Sequence, residues 1–209
     1  MNLLFKKSLY SLVILLMVFC VFPSKVLALS EEAYFAGGCF WCLEHDFEDL
    51  NGVLSVESGY SGGEDLNPTY QNHDGYQESI RVSFDPRIVS YEILLRAYWR
   101  NIDPLDAQGQ FCDRGNSYKS KIFVANSHQH ELALLSFKKA SSELGLTEDL
   151  IKVRIEEFKS FYIAENYHQN YAQNNALKYN FYRYSCGRDA RLDELWGENA
   201  RTSFDWSDN

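Results

Sequence analysis

The hydrophobic pattern of the chain changes from strand to helix and back to strand within residues 33–60. Residues 33–36 form a short apolar run, residues 39–50 carry apolar side chains at helical spacing, and residues 53–60 have the pattern of a second strand. Both periods occur in one short region, so the fold must combine helices with strands.

The rest of the chain mixes strands and helices without regular alternation. Further strands are expected at residues 76–84, 121–125, 152–155 and 161–163, and further helices at residues 90–101 and 127–144. The part from residue 165 predicts a short helix followed by an irregular C-terminal tail. This mixture predicts an α+β fold, with a single compact two-layer domain, a mixed central sheet and flanking helices.

The first 28 residues have the pattern of a secretory signal peptide. Lys6 and Lys7 precede the apolar run 9–22, and Ala28 is small enough for a cleavage site. The apolar run is short for a transmembrane helix, although an uncleaved anchor is the alternative. We therefore expect residues 1–28, including Cys20, to be removed and the protein to be periplasmic or extracellular.

The net charge of the remaining domain, residues 29–209, excludes some classes of binding partner. The full chain carries 20 basic and 29 acidic residues, a net charge of -9, and removal of residues 1–28 leaves 17 basic against 29 acidic residues. This balance argues against nucleic acid or a membrane surface as a partner, and we expect a monomer. Four cysteines remain in this domain: Cys39, Cys42, Cys112 and Cys186.

Cys39 stands where the first strand passes into the first helix, after Gly37 and Gly38. The unpaired N–H groups and the dipole of a helix N-terminus favour a thiolate, so Cys39 is a candidate nucleophile. A structural C-x-x-C pair with Cys42 is the alternative, either as a disulfide or as metal ligands. We expect no metal, because the five histidines of the chain are scattered.

Two aromatic residues follow the candidate nucleophile. Phe40 belongs to the core stripe of the helix, whereas Trp41 lies about 100° away from it. An indole off the core face either packs under a neighbouring loop or forms a wall for an apolar substrate group.

Glu78 lies on the apolar face of its predicted strand, together with Ile80 and Val82. Burial disfavours a carboxylate and raises its pKa, and a carboxyl that stays protonated near neutral pH can act as a general acid. The alternative is a strand-end position, partly wet or paired with an arginine.

Polar loops present Tyr70 after a proline turn, and Asp113 and Tyr118 around Gly115. With 14 tyrosines in the chain, a single tyrosine is more often part of the packing. These residues gain interest only together with Cys39 and Glu78.

Six motifs together resemble one known family, the A-type peptide methionine sulfoxide reductases. They are residues 38–44 (GCFWCLE), Gly59-Tyr60, Asn67-Pro68-Thr69-Tyr70, Gly75-x-x-Glu78, Asp113-x-Gly115-x-x-Tyr118 and Tyr167-His168-Gln169. The match runs in order from about residue 33 to residue 196.

The resemblance implies reduction of the S epimer of methionine sulfoxide, free or in proteins. Cys39 would attack the sulfoxide sulfur and Glu78 would protonate the leaving oxygen. Tyr70 and Tyr118 would donate hydrogen bonds to that oxygen, and Asp113 would organise the polar side. Phe40 and Trp41 would form the pocket for the methyl group of the substrate.

The resemblance also implies a sulfenic acid on Cys39, an intramolecular disulfide and recycling by thioredoxin or a thioredoxin-like protein, with no bound cofactor. Cys186, in the C-terminal tail from about residue 170, is the first candidate to resolve the sulfenic acid. Cys42 ranks second, because helical geometry at a spacing of three would strain its disulfide with Cys39. The chain departs from the family pattern at Tyr76, usually His, and at Cys112, often Asn.

Two other functions remain open from the residues alone. One is a thioredoxin-like disulfide exchanger that uses Cys39 and Cys42, although no proline follows at a place that suits the cis-proline loop of that fold. The other is an aromatic-rich binding module with structural disulfides.

Overall fold

A computed structural model describes residues 29–64, 67–203 and 206 of the protein. The predicted signal peptide, residues 1–28, lies outside the described residues. In the described part, none of the helices has the length and apolar character needed to cross a membrane.

Strands and helices alternate irregularly along the described chain. The strands are β1 (Glu31–Ala36), β2 (Val53–Ser61), β3 (Gln77–Phe84), β4 (Gly109–Gln110), β5 (Asp113–Arg114), β6 (Lys121–Val124), β7 (Arg154–Glu157) and β8 (Phe161–Ile163). The helices are α1 (Phe40–Glu48), α2 (Tyr91–Trp99), α3 (Ser127–Glu143), α4 (Tyr171–Asn174), α5 (Ala176–Ser185) and α6 (Arg188–Trp196). Short 3₁₀ turns occur at Asn116–Tyr118, Glu148–Leu150, Asn166–His168 and Gly197–Asn199.

Within the described residues, the main sheet has the strand order β7-β6-β1-β3-β2-β8. Strand β1 pairs antiparallel with both β3 and β6, whereas β6 and β7 run parallel. The sheet is therefore mixed, and the predicted fold class is confirmed. The short strands β4 and β5 form a separate hairpin.

Strand β1 is buried on both faces because helices and aromatic side chains cover it from opposite sides. On one face, the Phe35 ring packs against the rings of Phe47 and Tyr98, with centroids 5.5 and 5.0 Å away. On the other face, Tyr34 stacks on Phe158 at 3.8 Å. Burial on two faces explains why this strand has a continuous apolar run instead of an alternating pattern.

Ser90 caps helix α2 as its position before the helix predicts, since its side-chain oxygen accepts a hydrogen bond from the backbone N–H of Ile93 at 3.4 Å. The Asn126 side chain caps helix α3 in the same way through Gln129.

The expectation of an irregular C-terminal tail is wrong, because helices α4, α5 and α6 occupy most of residues 171–196. Ion pairs hold α5 and α6 to the domain. Arg183 of α5 donates to Asp46 of α1 at 2.7 Å, and Arg188 of α6 lies 3.7 Å from the same carboxylate. Hydrophobic periodicity does not report such contacts, so the pattern of this segment looked irregular.

Candidate active site

The turn between β1 and α1 lies where the sequence predicts it, and it places Cys39 at the N-cap of the helix. The preceding Gly38 has a φ of +85°, and a Cβ atom there would lie 2.6 Å from Cβ of Gln110. Only glycine suits this combination of left-handed backbone and close packing. The turn thereby fixes the direction in which the chain enters the helix.

A small cavity of about 80 Å³ lies over Cys39. The seven side chains that the sequence proposed for catalysis and for the substrate pocket all line it, together with one further residue: Cys39, Phe40, Trp41, Tyr70, Glu78, Asp113, Tyr118 and Tyr182. Residues from five separate parts of the chain therefore meet at one place. Larger clefts on the surface contain no cysteine.

Cys39 and Cys42 are both buried free thiols that share a hydrogen bond. Burial raises the pKa of Cys39, and the neighbouring Cys42 and the Glu78 carboxyl raise it further. This corrects the expectation that the pKa of Cys39 is lowered at the helix N-terminus, because burial of the thiol is the largest effect and disfavours the thiolate. The hydrogen bond from Cys39 lowers the pKa of Cys42, assisted by the positive charges of Arg188 and Arg183.

Glu78 is 2% exposed and lies on β3 beside the start of α1. Its Oε2 accepts a hydrogen bond from the backbone N–H of Phe40 at 3.1 Å. Burial raises the pKa of Glu78 to about 8, although this hydrogen bond opposes the rise. The carboxyl is therefore mostly protonated at neutral pH, in the direction that its place on the apolar face predicted.

The apolar side of the cavity is held by the segment that follows β8. The Tyr171 ring stacks on the Trp41 indole at 3.7 Å, with 9° between the planes. The indole Nε1–H donates to Nδ1 of His168 at 3.1 Å, and the His168 ring packs 5.0 Å from Phe40. Trp41 therefore has one face packed against a neighbouring segment and still lines the cavity.

Glu44 of α1 holds the segment that follows β8 in place through a hydrogen bond. It is 1% exposed, and its Oε1 accepts a hydrogen bond from the backbone N–H of Asn170 at 3.0 Å. Burial raises the pKa of Glu44 to about 7. On the other side, Gln169 bonds to both the N–H and the C=O of Ser58, each at 2.9 Å. These contacts make the wall beside Trp41 part of the rigid core.

Glu165 connects the Tyr70 loop to the sheet. Its Oε1 accepts a hydrogen bond from the backbone N–H of Tyr70 at 3.0 Å, and its Oε2 accepts one from the Tyr60 hydroxyl at 3.1 Å. Tyr70 remains 38% exposed, so the Tyr70 side of the cavity is open to water. Burial raises the pKa of both Tyr70 and Tyr118, which keeps the two phenols protonated as hydrogen-bond donors.

Asp113 and Tyr182 form the remaining polar side. The Tyr182 hydroxyl donates to Oδ2 of Asp113 at 2.6 Å and also contacts Cys39, where it lowers the pKa of the thiol. Directly behind them, Cys112 and Cys186 form a disulfide with a Cα–Cα distance of 4.9 Å. Cys112 precedes Asp113 and Cys186 follows Tyr182 by one helical turn, so this disulfide ties the two sides of the cavity together.

Comparison with known proteins agrees with this arrangement. A family model described as peptide methionine sulfoxide reductase matches residues 31–200. A protein of Caulobacter vibrioides named peptide methionine sulfoxide reductase MsrA 2 is 46% identical over 179 residues, 84% of this chain and 90% of that protein. The MsrA of Bacillus licheniformis is 46% identical over 171 residues, 80% of this chain and 94% of that protein.

The chain belongs to the peptide methionine sulfoxide reductase family, A type. Methionine sulfoxide reductase A of Corynebacterium diphtheriae has the same fold, with a TM-score of 0.62 at 27% identity over 71% of this chain and 76% of that one. As an A-type member, this chain reduces the S epimer of methionine sulfoxide. Family membership therefore decides against the disulfide exchanger and the binding module.

Sequence reasoning missed Tyr182, Glu44 and the packing role of His168 in this reductase. Tyr182 is one of many tyrosines, and it reaches the cavity only because α5 folds back over α1. Glu44 and His168 stand inside quoted family motifs, yet no local pattern shows that they support Trp41. A buried position in the helical pattern was the one available signal for Glu44.

One cluster of the described residues has the side chains of a possible metal site. Cys112, Asp113 and Cys186 place possible ligand atoms within 4.8 Å of one another. Both sulfurs are already bonded in the disulfide, so this group offers no thiolate ligand in the oxidised state.

The raised pKa of Glu78 predicts a pH-dependent contribution to stability. Folded Glu78 keeps its proton up to about pH 8, whereas the unfolded chain loses it near 4.5. Between these values the unfolded state binds fewer protons, so the free energy of unfolding of the wild type falls as pH rises. We expect Glu78→Gln to gain stability relative to the wild type from pH 5 to pH 8, by up to about 1.4 kcal/mol per pH unit.

Urea denaturation of both proteins at several pH values measures this difference. Asp49→Asn, which makes the same chemical change at an exposed carboxyl next to α1, provides the control and should follow the wild-type curve. Parallel curves for Glu78→Gln and the wild type would show that Glu78 is ionised in the folded protein.

Proposed function

We propose that Cys39 attacks the sulfoxide sulfur while Glu78 supplies the proton that the oxygen takes up. In balance, the Cys39 thiolate, one proton and the sulfoxide give a Cys39 sulfenic acid and the methionine thioether. The observation that carries this proposal is the shared cavity, in which a buried thiol and a carboxyl protonated at neutral pH line the same 80 Å³ space. We also propose that residues 1–28 direct export and are then removed. Retention of the protein in the cytoplasm would contradict export, and detection of residues 1–28 by mass in the exported protein would contradict their removal.

The remaining cavity residues bind the substrate. Phe40 and Trp41 receive the methyl group, because their rings are the apolar part of the lining. Tyr70 and Tyr118 donate hydrogen bonds to the sulfoxide oxygen, and Asp113 organises the polar side through Tyr182. Neutral Glu78 next to Cys39 also removes a repulsive charge that would oppose thiolate formation.

The identity of the nucleophile and the preference for one epimer can be tested together. With dithiothreitol as reductant, the folded protein should reduce the S epimer of a methionine sulfoxide substrate and leave the R epimer unchanged. Cys39→Ser should lower turnover by more than about 1,000-fold, because a serine hydroxyl is not ionised at neutral pH. Amino-acid analysis of methionine released from each epimer measures both effects, and circular dichroism establishes that the variant is folded.

Retained S-epimer reduction by a folded Cys39→Ser protein would refute the assignment of the nucleophile. A wild-type protein that reduces both epimers equally would refute the proposed shape of the cavity.

For the next step we propose that Cys42 resolves the sulfenic acid and releases water as a Cys39–Cys42 disulfide forms. Cys42 contacts Cys39, and the cationic Arg188 and Arg183 lower its pKa, which favours the attacking thiolate. The expected strain between these two positions does not apply, because Cys39 has the non-helical backbone of an N-cap, with a ψ of 121°. Side chains at the N-cap and three residues later face each other.

Recycling then passes through the second pair of cysteines. The Cys39–Cys42 pair is buried, whereas Cys112 is exposed, so a protein reductant reaches Cys112 first. We propose that a thioredoxin-like protein reduces the Cys112–Cys186 disulfide to two thiols. These thiols in turn reduce the Cys39–Cys42 disulfide and reform their own. Cys186 is thus a recycling residue, placed one step after Cys42.

This order predicts different effects with different reductants. The double variant Cys112→Ser/Cys186→Ser should keep about wild-type turnover with dithiothreitol, which is small enough to enter the site. With a thioredoxin as donor, its turnover should fall at least about tenfold, because the buried disulfide is protected from a protein. Coupled oxidation of the donor measures the rate.

Mass mapping of disulfides in the double variant, after one equivalent of sulfoxide, should find the Cys39–Cys42 pair. A persistent sulfenic acid on Cys39 in that variant would instead make Cys186 the resolving residue. Equal turnover of the two proteins with thioredoxin would show that the exposed disulfide takes no part.

A further inference from the structure

A wide groove of about 440 Å³ lies at one end of the main sheet, next to the catalytic cavity. Basic side chains from three neighbouring segments line it. They are Lys119 and Lys121 around the start of β6, Lys152 before β7, and Arg154 at the start of β7. These four residues define the basic groove.

The positive charge of the basic groove is only partly neutralised. Lys121 pairs with Glu156 at 2.8 Å, and Lys152 donates to the backbone oxygen of Asp149 at 2.8 Å. Asp106 is the acid in the lining, and it forms its ion pair with Arg114.

Lys119 and Arg154 make no ion pair with any residue that the structure describes. The four basic side chains of the groove are opposite in sign to the net charge of the chain, which is -9. The charge of the groove suits an anionic ligand.

The groove and the catalytic cavity share a wall. In the short turn Asn116–Tyr118, Asn116 lines the groove and Tyr118 lines the cavity. On strand β3, Gln77 lines the groove and the adjacent Glu78 lines the cavity, so the two openings lie on opposite faces at the same end of the strand. A peptide with its sulfoxide in the cavity therefore reaches the groove by passing around this end of the sheet, along the Asn116–Tyr118 turn.

Two buried polar atoms belong to residues of the groove lining. Oε1 of Gln77 and Oγ of Ser120 have no hydrogen-bond partner among the described residues, and both side chains are less than 5% exposed. Buried polar groups are normally paired, so these two atoms make the lining of the groove polar beneath its surface.

We propose that the basic groove binds an acidic stretch of the oxidised protein substrate, a few residues from the methionine sulfoxide. The proposal rests on the function proposed above, since it assigns the sequence context that the same cavity prefers. Asp and Glu side chains of the substrate pair with Lys119 and Arg154, and the peptide backbone meets the polar lining. Free methionine sulfoxide is too short to reach the groove.

The test compares free methionine sulfoxide with two peptides that differ only in the residues flanking the sulfoxide, Glu in one and Lys in the other. The wild type should show a kcat/KM about five- to tenfold higher for the acidic peptide, through a lower KM. The preference should weaken at high salt. In Lys119→Glu/Arg154→Glu the preference should disappear or reverse, while kcat/KM for free methionine sulfoxide stays at the wild-type value.

Lys138→Glu/Lys139→Glu is the matched control, because it makes the same charge change at two exposed lysines on α3. It should keep the preference for the acidic peptide. Loss of the preference in this control as well would assign the effect to overall charge and overturn the groove.

The same experiment separates the two proposals. No reduction of free methionine sulfoxide by the wild type refutes the proposed chemistry. Reduction of free sulfoxide together with equal kcat/KM for the two peptides refutes the basic groove alone.

Discussion

One hydrogen bond joins the parts of the site that must act together. The backbone N–H of Phe40, in the first turn of α1, donates to the Glu78 carboxyl on β3 at 3.1 Å. Because Phe40 follows Cys39, this bond sets the distance between the nucleophile's helix and the acid. The pairing of β1 with β3 fixes the same geometry from below, with Ala36 opposite Ser79. The thiol and the carboxyl are therefore held by the core and not by mobile loops, as preorganised catalysis requires.

Burial has opposite consequences for the two groups. It raises the pKa of Glu78, which suits a proton donor, but it also raises the pKa of Cys39, which needs to lose its proton. The Tyr182 hydroxyl is the contact that opposes this rise at Cys39. If Glu78 gives its proton to the substrate oxygen, the carboxyl is neutral before the reaction. The site thus keeps its net charge low around the buried Cys39 and Glu78 side chains, where an unpaired charge would be costly.

The sequence predicts those features that depend on local pattern. The alternation of β3 places Glu78 on the apolar face, and the glycines between strand and helix place Cys39 at the start of α1. The full set of seven lining residues follows only from the family resemblance. Features that depend on tertiary contact were missed. Helix α5 is held by the Arg183–Asp46 ion pair and brings Tyr182 to the cavity, and neither contact leaves a periodic pattern. The strain assigned to the Cys39–Cys42 pair came from treating both residues as helical, whereas the N-cap backbone of Cys39 is extended.

In the proposed cycle, two cysteine pairs with different exposure take different steps. A buried Cys39 protects its sulfenic acid from stray thiols and further oxidation, but burial also shields it from any large reductant. An exposed disulfide next to the cavity resolves this conflict, because it can meet a protein on one side and the buried pair on the other. Cys112 is exposed and adjoins Asp113, and Cys186 follows Tyr182 by one helical turn, while Asp113 and Tyr182 line the cavity together with Cys39. The cross-link between Cys112 and Cys186 also keeps Asp113 and Tyr182 in contact, so the oxidation state of the outer pair and the shape of the substrate cavity are mechanically connected.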